Sequence, residues 1–168
     1  MLKRTTALVM ALALGLLLLT SHEALGQSEG DGRVRGAFIG FLGFGAEFDG
    51  AAVVTFHPGV GGDVLFGNVG VTGTVGYLAP FEALGDGLGT FSPGLLIALS
   101  KTGTVPFVTA GYSLVFREGS FSGFFVGGGV NVWKGERTGF RVELHADVLS
   151  DTDIDFNVIE LRFGVIAR

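Results

Sequence analysis

Arg141, Glu143, His145 and Asp147, set two apart, are the densest run of chemically capable side chains in this 168-residue sequence. An imidazole between two carboxylates has the composition of an acid–base site, and equally that of a structural ion-pair network. A second imidazole, His57, stands beside Pro58 with neither a serine nor an acid next to it in sequence, which reads as incidental. Asp151-x-Asp153-x-Asp155-x-Asn157 opens like a calcium loop, but Phe156 stands where glycine is needed and Arg162 where glutamate is needed. It reads as a solvated acidic loop. The clusters Gly59-x-Gly61-Gly62 and Gly85-x-Gly87-x-Gly89 precede no helix, so they offer no phosphate cradle. The sequence therefore assigns no catalytic residue, no metal ligand and no cofactor.

The element that carries the first run decides its meaning. In Phe140–Val148, apolar Phe140, Val142, Leu144, Ala146 and Val148 alternate with Arg141, Glu143, His145 and Asp147. A period of two is a β-strand with one apolar and one ionic face. If the ionic face met lipid, each arginine would cost about 2–4 kcal/mol at the midplane, with acids somewhat less. The apolar face is therefore expected to meet lipid and the ionic face to fill a small barrel, where buried charge must be paired. The expected internal network joins Arg141, Glu143, His145 and Asp147 to Glu160 and Arg162 of the next strand. Closure against the first strand adds Arg35 and Glu47.

Composition points the same way. Charged residues make up 16% of the chain, well under the roughly 25–35% of a wet soluble surface. Beyond the N-terminal region the lysines are Lys101 and Lys134, both in turn-like contexts. The net charge is −5 without a basic cluster, which argues against a nucleic-acid partner. Cysteine is absent, so there is no disulfide or thiolate metal site.

The N-terminus has the form of an export signal. Lys3 and Arg4 precede an apolar run, Ala7–Leu19, and Ala24-Leu25-Gly26 supplies small residues for cleavage after Gly26. The expected organisation is a signal peptide at 1–26, a flexible leader at 27–32 and a barrel at 33–168.

Eight strands are expected, at Arg33–Phe48, Val53–Phe66, Val69–Ala79, Thr90–Ser100, Val105–Arg117, Phe121–Trp133, Phe140–Val148 and Phe156–Ala167. His57-Pro58 predicts a bulge in the second, because proline donates no ladder hydrogen bond. Val53–Phe56 either continues that strand or pairs separately. Gly67-Asn68, Lys101–Gly103 and Lys134–Thr138 are short turns, whereas Pro80–Gly89 and Ser150–Asp155 are longer and acidic. Tyr112 and Trp133 are candidate interface anchors, with Trp133 phased inward. The fold class is all-β, an eight-stranded antiparallel up-and-down transmembrane barrel.

With these strands in place, the chain resembles the outer membrane protein β-barrel domain family, the small OmpA- or OmpX-like barrels. The resemblance lies in Pro106-Phe107-Val108-Thr109-Ala110-Gly111-Tyr112-Ser113-Leu114, in Gly127–Trp133, in Gly139–Leu144 and in Arg162-Phe163-Gly164-Val165. The ending Ile166-Ala167-Arg168 departs from the aromatic finish that the family's assembly machinery reads. The resemblance implies a bacterial outer-membrane location; the expected partners are outer-membrane lipid and the barrel assembly machinery, and the expected state is a monomer. It implies no chemistry. The expected role is structural or surface-interacting through loops, with a plugged lumen. One alternative is an enzyme modifying envelope lipid on the same barrel. Another is a soluble secreted barrel that inverts the faces and binds an apolar ligand.

Overall fold

The computed structural model describes residues 34–49, 51–100, 103–117, 120–151 and 154–168. The expected signal peptide and leader lie outside these residues. Eight strands follow one another: β1 Val34–Asp49, β2 Ala51–Phe66, β3 Val69–Pro80, β4 Leu88–Ala98, β5 Thr104–Phe116, β6 Ser120–Trp133, β7 Thr138–Asp151 and β8 Ile154–Ala167. Each pairs antiparallel with the next, and β8 returns to β1 to close the barrel. Pairing followed from Ala37 through Asp63, Thr72, Gly94, Gly111, Phe125, Asp147 and Val158 comes back to β1 at Glu47. That stagger is what tilts the strands of a closed barrel, by about 35–45° in general.

The alternation in sequence becomes alternation across the wall. On β7, Phe140, Val142, Leu144 and Val148 are exposed while Arg141, Glu143, His145 and Asp147 are buried. Leu95, Ile97, Phe124, Val126, Phe163 and Val165 continue the apolar outer surface on β4, β6 and β8. Inside, Leu96, Ala98, Val105 and Phe107 form one apolar cluster, and Ile39, Phe41 and Ile166 another. Trp133 is half-buried and packs against both, as its inward phase requires.

The chain reverses tightly at the end of the barrel where β1 starts and β8 finishes. Gly67, Gly103 and Gly135, all in these reversals, have positive φ, a backbone region that other residues enter at a cost. At the opposite end, β3 and β4 are joined through a 3-10 turn at Leu84–Asp86.

Three expectations are corrected. β2 carries no bulge at His57-Pro58: Leu42 faces Pro58 and Gly43 faces His57 in one unbroken register against β1. The ladder is interrupted instead on the β3 side, between the Phe56–Ala79 and Gly59–Gly76 pairs, and resumes in the same register. Proline removes a hydrogen bond there without adding a residue. Consequently Val53–Phe56 is part of β2, paired with Phe44–Glu47. The first connection is also shorter than expected, since Asp49 pairs with Ala51. Finally, the anticipated acidic loop is largely strand, with Ser150 paired to Asp155 and Asp151 to Ile154. Asp153 lies outside the described residues, as do Lys101 and Thr102 of the expected turn.

Candidate functional site

β7 and β8 present six ionisable side chains to the lumen, and β2 answers them from across it. Arg141 donates from Nη1 to Asp63 Oδ2 at 2.7 Å and from Nε to Glu143 Oε2 at 2.9 Å. Its guanidinium carbon also lies 3.9 Å from the centre of the Phe107 ring. Glu143 Oε1 sits 3.2 Å from His145 Nδ1 and accepts a long hydrogen bond of 3.4 Å from Thr109 Oγ1. The His145 ring stacks on Phe125, with centroids 4.8 Å apart. Its Nε2 lies 3.3 Å from Asp147 Oδ2, but without the alignment of a hydrogen bond. Asp147 Oδ1 accepts from Ser113 at 2.5 Å, and Ser113 meets Ser92 at 2.8 Å.

A second group centres on Glu160. Arg162 donates to Glu160 Oε1 from Nε at 2.7 Å and also from Nη2. His57 Nδ1 lies 3.0 Å from both carboxylate oxygens. His57 Nε2 is 2.9 Å from Thr90 Oγ1, and the ring meets Phe41 edge-on at 5.4 Å. All these ionic and hydroxyl groups are buried.

The neighbouring strands make room for them with glycine. A Cβ at Gly76 would press into His57 Nε2 and stand 3.0 Å from Thr90 Oγ1. At Gly43 it would reach 2.5 Å from Glu160 Oε2, and at Gly127 it would be 2.7 Å from both Glu143 Oε1 and Thr109 Oγ1. These positions are glycine because charged side chains occupy the space. One void about the size of a water molecule lies among them, lined by Thr72, Ser92, Thr109, Glu143, His145 and Arg162 among others, and a second of similar size lies toward Arg35 and Trp133. Among the described residues the lumen is plugged by its own side chains.

No protein-family model and no curated protein matches this chain. Solved structures do. The Neisserial surface protein A, NspA, aligns with a TM-score of 0.69 at 13% identity over 83% of this chain and 99% of that one. The outer membrane enzyme PagL gives 0.60 at 16% identity over 75% and 97%. Ail, the attachment invasion locus protein of Yersinia pestis, gives 0.56 at 12% identity over 82% and 99%. The fold is that of the small eight-stranded transmembrane barrels. The likeness read from sequence therefore holds at the level of fold, and it extends to barrels of unlike roles.

A transmembrane barrel also accounts for the direction of the faces. Leu144 is 58% exposed and its neighbour Glu143 6%. A soluble barrel that buries Val142 and Leu144 and solvates Arg141 and Glu143 is the reverse of this arrangement and is excluded.

Six of the eight residues singled out in sequence, Arg141, Glu143, His145, Asp147, Glu160 and Arg162, line the buried lumen. Their partners are not all the ones expected. Arg141 reaches Glu143 and Asp63, and Arg162 reaches Glu160 on its own strand, although Glu143 and Arg162 face each other in register. Arg35 sits at the end where the strands reverse tightly and donates to the Gly67 carbonyl at 2.8 Å. Glu47 is half-buried near the other end of β1. Tyr112 is exposed on the outer surface against Phe124, with ring centroids 5.7 Å apart.

Sequence reasoning missed His57, Asp63, Thr90 and Ser113. His57 has an acid beside it after all, but one supplied by β8, 103 positions away. The signal for His57 and Asp63 was their even spacing, which puts both on one face of β2 together with Thr55. The expected bulge at Pro58 would have broken that phase.

Proposed function

We propose that this protein is an integral barrel of a bacterial outer membrane, monomeric, inserted by the barrel assembly machinery and surrounded by lipid. Its lumen is closed to solutes, and its role is structural or borne by the connections at the end opposite Gly67, Gly103 and Gly135. The observation that carries this reading is the pairing of an apolar outer surface with a fully internal ionic network. Charged side chains held inside by partners, with valine, leucine and phenylalanine outside, suit a bilayer and no aqueous setting. Kinship of fold with NspA and Ail supports a surface role. The test is fractionation and gel mobility of the expressed full chain. It should stay in membranes through a carbonate wash, migrate faster unboiled than boiled, and give no conductance steps in planar bilayers. Release by carbonate, or stable open channels, would refute the reading.

One arrangement favours a second reading, an enzyme acting on envelope lipid. Glu160, His57 and Thr90 stand in the order acid, imidazole, hydroxyl, with 3.0 Å and 2.9 Å between successive partners. That is the order of an acid–base–nucleophile relay. PagL, of the same fold, is an outer membrane enzyme. Against it stands burial: Thr90 is 5% exposed, and neither water-sized void is lined by Thr90 or His57. Among the described residues this hydroxyl is closed off from a lipid ester. Turnover of envelope lipid by the purified barrel, abolished by Thr90→Val and kept by Thr90→Ser, would decide for the enzyme. No turnover would leave the three groups as a structural chain.

A further inference from the structure

With both buried imidazoles neutral, the charges in the lumen do not balance. Among the described residues, Asp63, Glu143, Asp147 and Glu160 are buried carboxylates, and Arg141 and Arg162 the buried guanidiniums. Two negative charges are left over in a medium that tolerates unpaired charge poorly. The excess has a location. His145 engages Glu143 through Nδ1, which in a neutral ring puts the hydrogen there and the lone pair on Nε2. That Nε2 is buried, makes no aligned hydrogen bond, and lies 3.3 Å from Asp147 Oδ2. A lone pair this close to a carboxylate is repelled unless a proton or a metal ion lies between them.

We propose that the lumen holds one divalent transition-metal ion, of which zinc is the reference case, bound by His145 Nε2, Asp147 and Glu160. Donor atoms of these three residues lie within 4.8 Å of one another. Donors of a tetrahedral site with bonds of about 2.0–2.1 Å sit about 3.3 Å apart, so small carboxylate rotations would fill three of its four positions and leave the fourth to a water. The donor set of one imidazole and two carboxylates suits zinc and its neighbours better than calcium or magnesium, which take oxygen alone.

The surroundings have the form of a metal site's supporting shell. The ligand imidazole is held through its other nitrogen by a carboxylate, Glu143, as ligating histidines commonly are. Ser113 fixes Asp147 through Oδ1, and His57 with Arg162 orients Glu160. Phe125 lies flat against the His145 ring. One divalent ion leaves the buried network neutral. Because the lumen is plugged, the ion enters as the barrel forms, and binding contributes to folding.

The experiment uses the full chain, refolded in detergent micelles with EDTA or with zinc chloride and then gel-filtered. Zinc content is read by mass spectrometry alongside the melting temperature. About one zinc per barrel and a higher melting temperature are expected, with an X-ray absorption spectrum showing one imidazole among oxygen neighbours. Asp147→Asn keeps an acceptor for Ser113 but loses the charge, and should weaken zinc binding at least tenfold. His145→Gln, a second variant in case the first folds poorly, should do the same. Glu143→Gln touches the ion only through His145 and should weaken it about 10–100-fold. Asp86→Asn, at a surface acid paired with Arg117, should change nothing. Folded wild type that retains no zinc would overturn the proposal, as would equal zinc in wild type, Asp147→Asn and His145→Gln. So would a melting temperature that follows pH and ignores zinc, because protons on the two buried imidazoles would then close the same charge gap.

Discussion

The two walls of the lumen are built on opposite plans. The β7–β8 wall supplies Arg141, Glu143, His145, Asp147, Glu160 and Arg162, long side chains that reach across the barrel. The β3–β6 wall supplies Thr72, Ser92, Thr109 and Ser113, with Gly76, Gly94, Gly111 and Gly127 between them. One wall brings charge, and the other brings space and short hydroxyls that turn toward it. β2 belongs to both, offering His57 and Asp63 separated by Gly59 and Gly61. A narrow barrel has no room for two charged walls, so the second must be small for the first to be ionic.

This division is open to attack from the charged side first. Glu143→Leu removes one of the two carboxylates that hold Arg141 and the carboxylate that engages His145 Nδ1, breaking the buried network at its centre. It should cost about 3–5 kcal/mol, read as a lower urea midpoint for loss of the fast-migrating folded band. A variant as stable as wild type would count against the network. The outer face comes next. Leu144→Arg moves charge one residue along the same strand and into lipid, at about 2–4 kcal/mol. Folding yield in lipid vesicles, titrated with urea, should fall accordingly.

The small wall gives a finer comparison. Gly76→Ala drives a methyl group into the His57 and Thr90 contact and should destabilise by about 1–3 kcal/mol. Gly73→Ala, three residues earlier on the same strand, meets nothing within 4 Å and should stay within about 0.5 kcal/mol of wild type. Equal effects from the two, measured by the same urea titration, would mean that the lumen is looser than these contacts imply.

The charged wall was legible in the sequence because β7 keeps a period of two through nine residues and never breaks it. Breaking that phase would have put four ionisable groups into lipid, so the pattern fixed the inward direction and, with it, the fold. The β2 contribution was not legible, for a local reason. Pro58 signalled a bulge, and one extra residue would have reversed every side chain beyond it. The strand instead gives up a bond toward β3 and keeps its register, so His57 and Asp63 both face inward. Glu160 and His57 are 103 positions apart, and only barrel closure brings β8 near the start of the chain. Thr90 and Ser113 carried no signal, because a threonine or serine at an inward position is ordinary lumen filling until its partner is known.

Which face of β7 meets lipid is the claim on which the rest depends. The chain has no cysteine, so Leu144→Cys gives a single site for a nitroxide label. In the barrel reconstituted in bilayers, its electron-spin relaxation should respond to oxygen dissolved in the lipid and not to a water-soluble nickel chelate. Relaxation by the nickel chelate in preference to oxygen would place Leu144 in water and contradict the account.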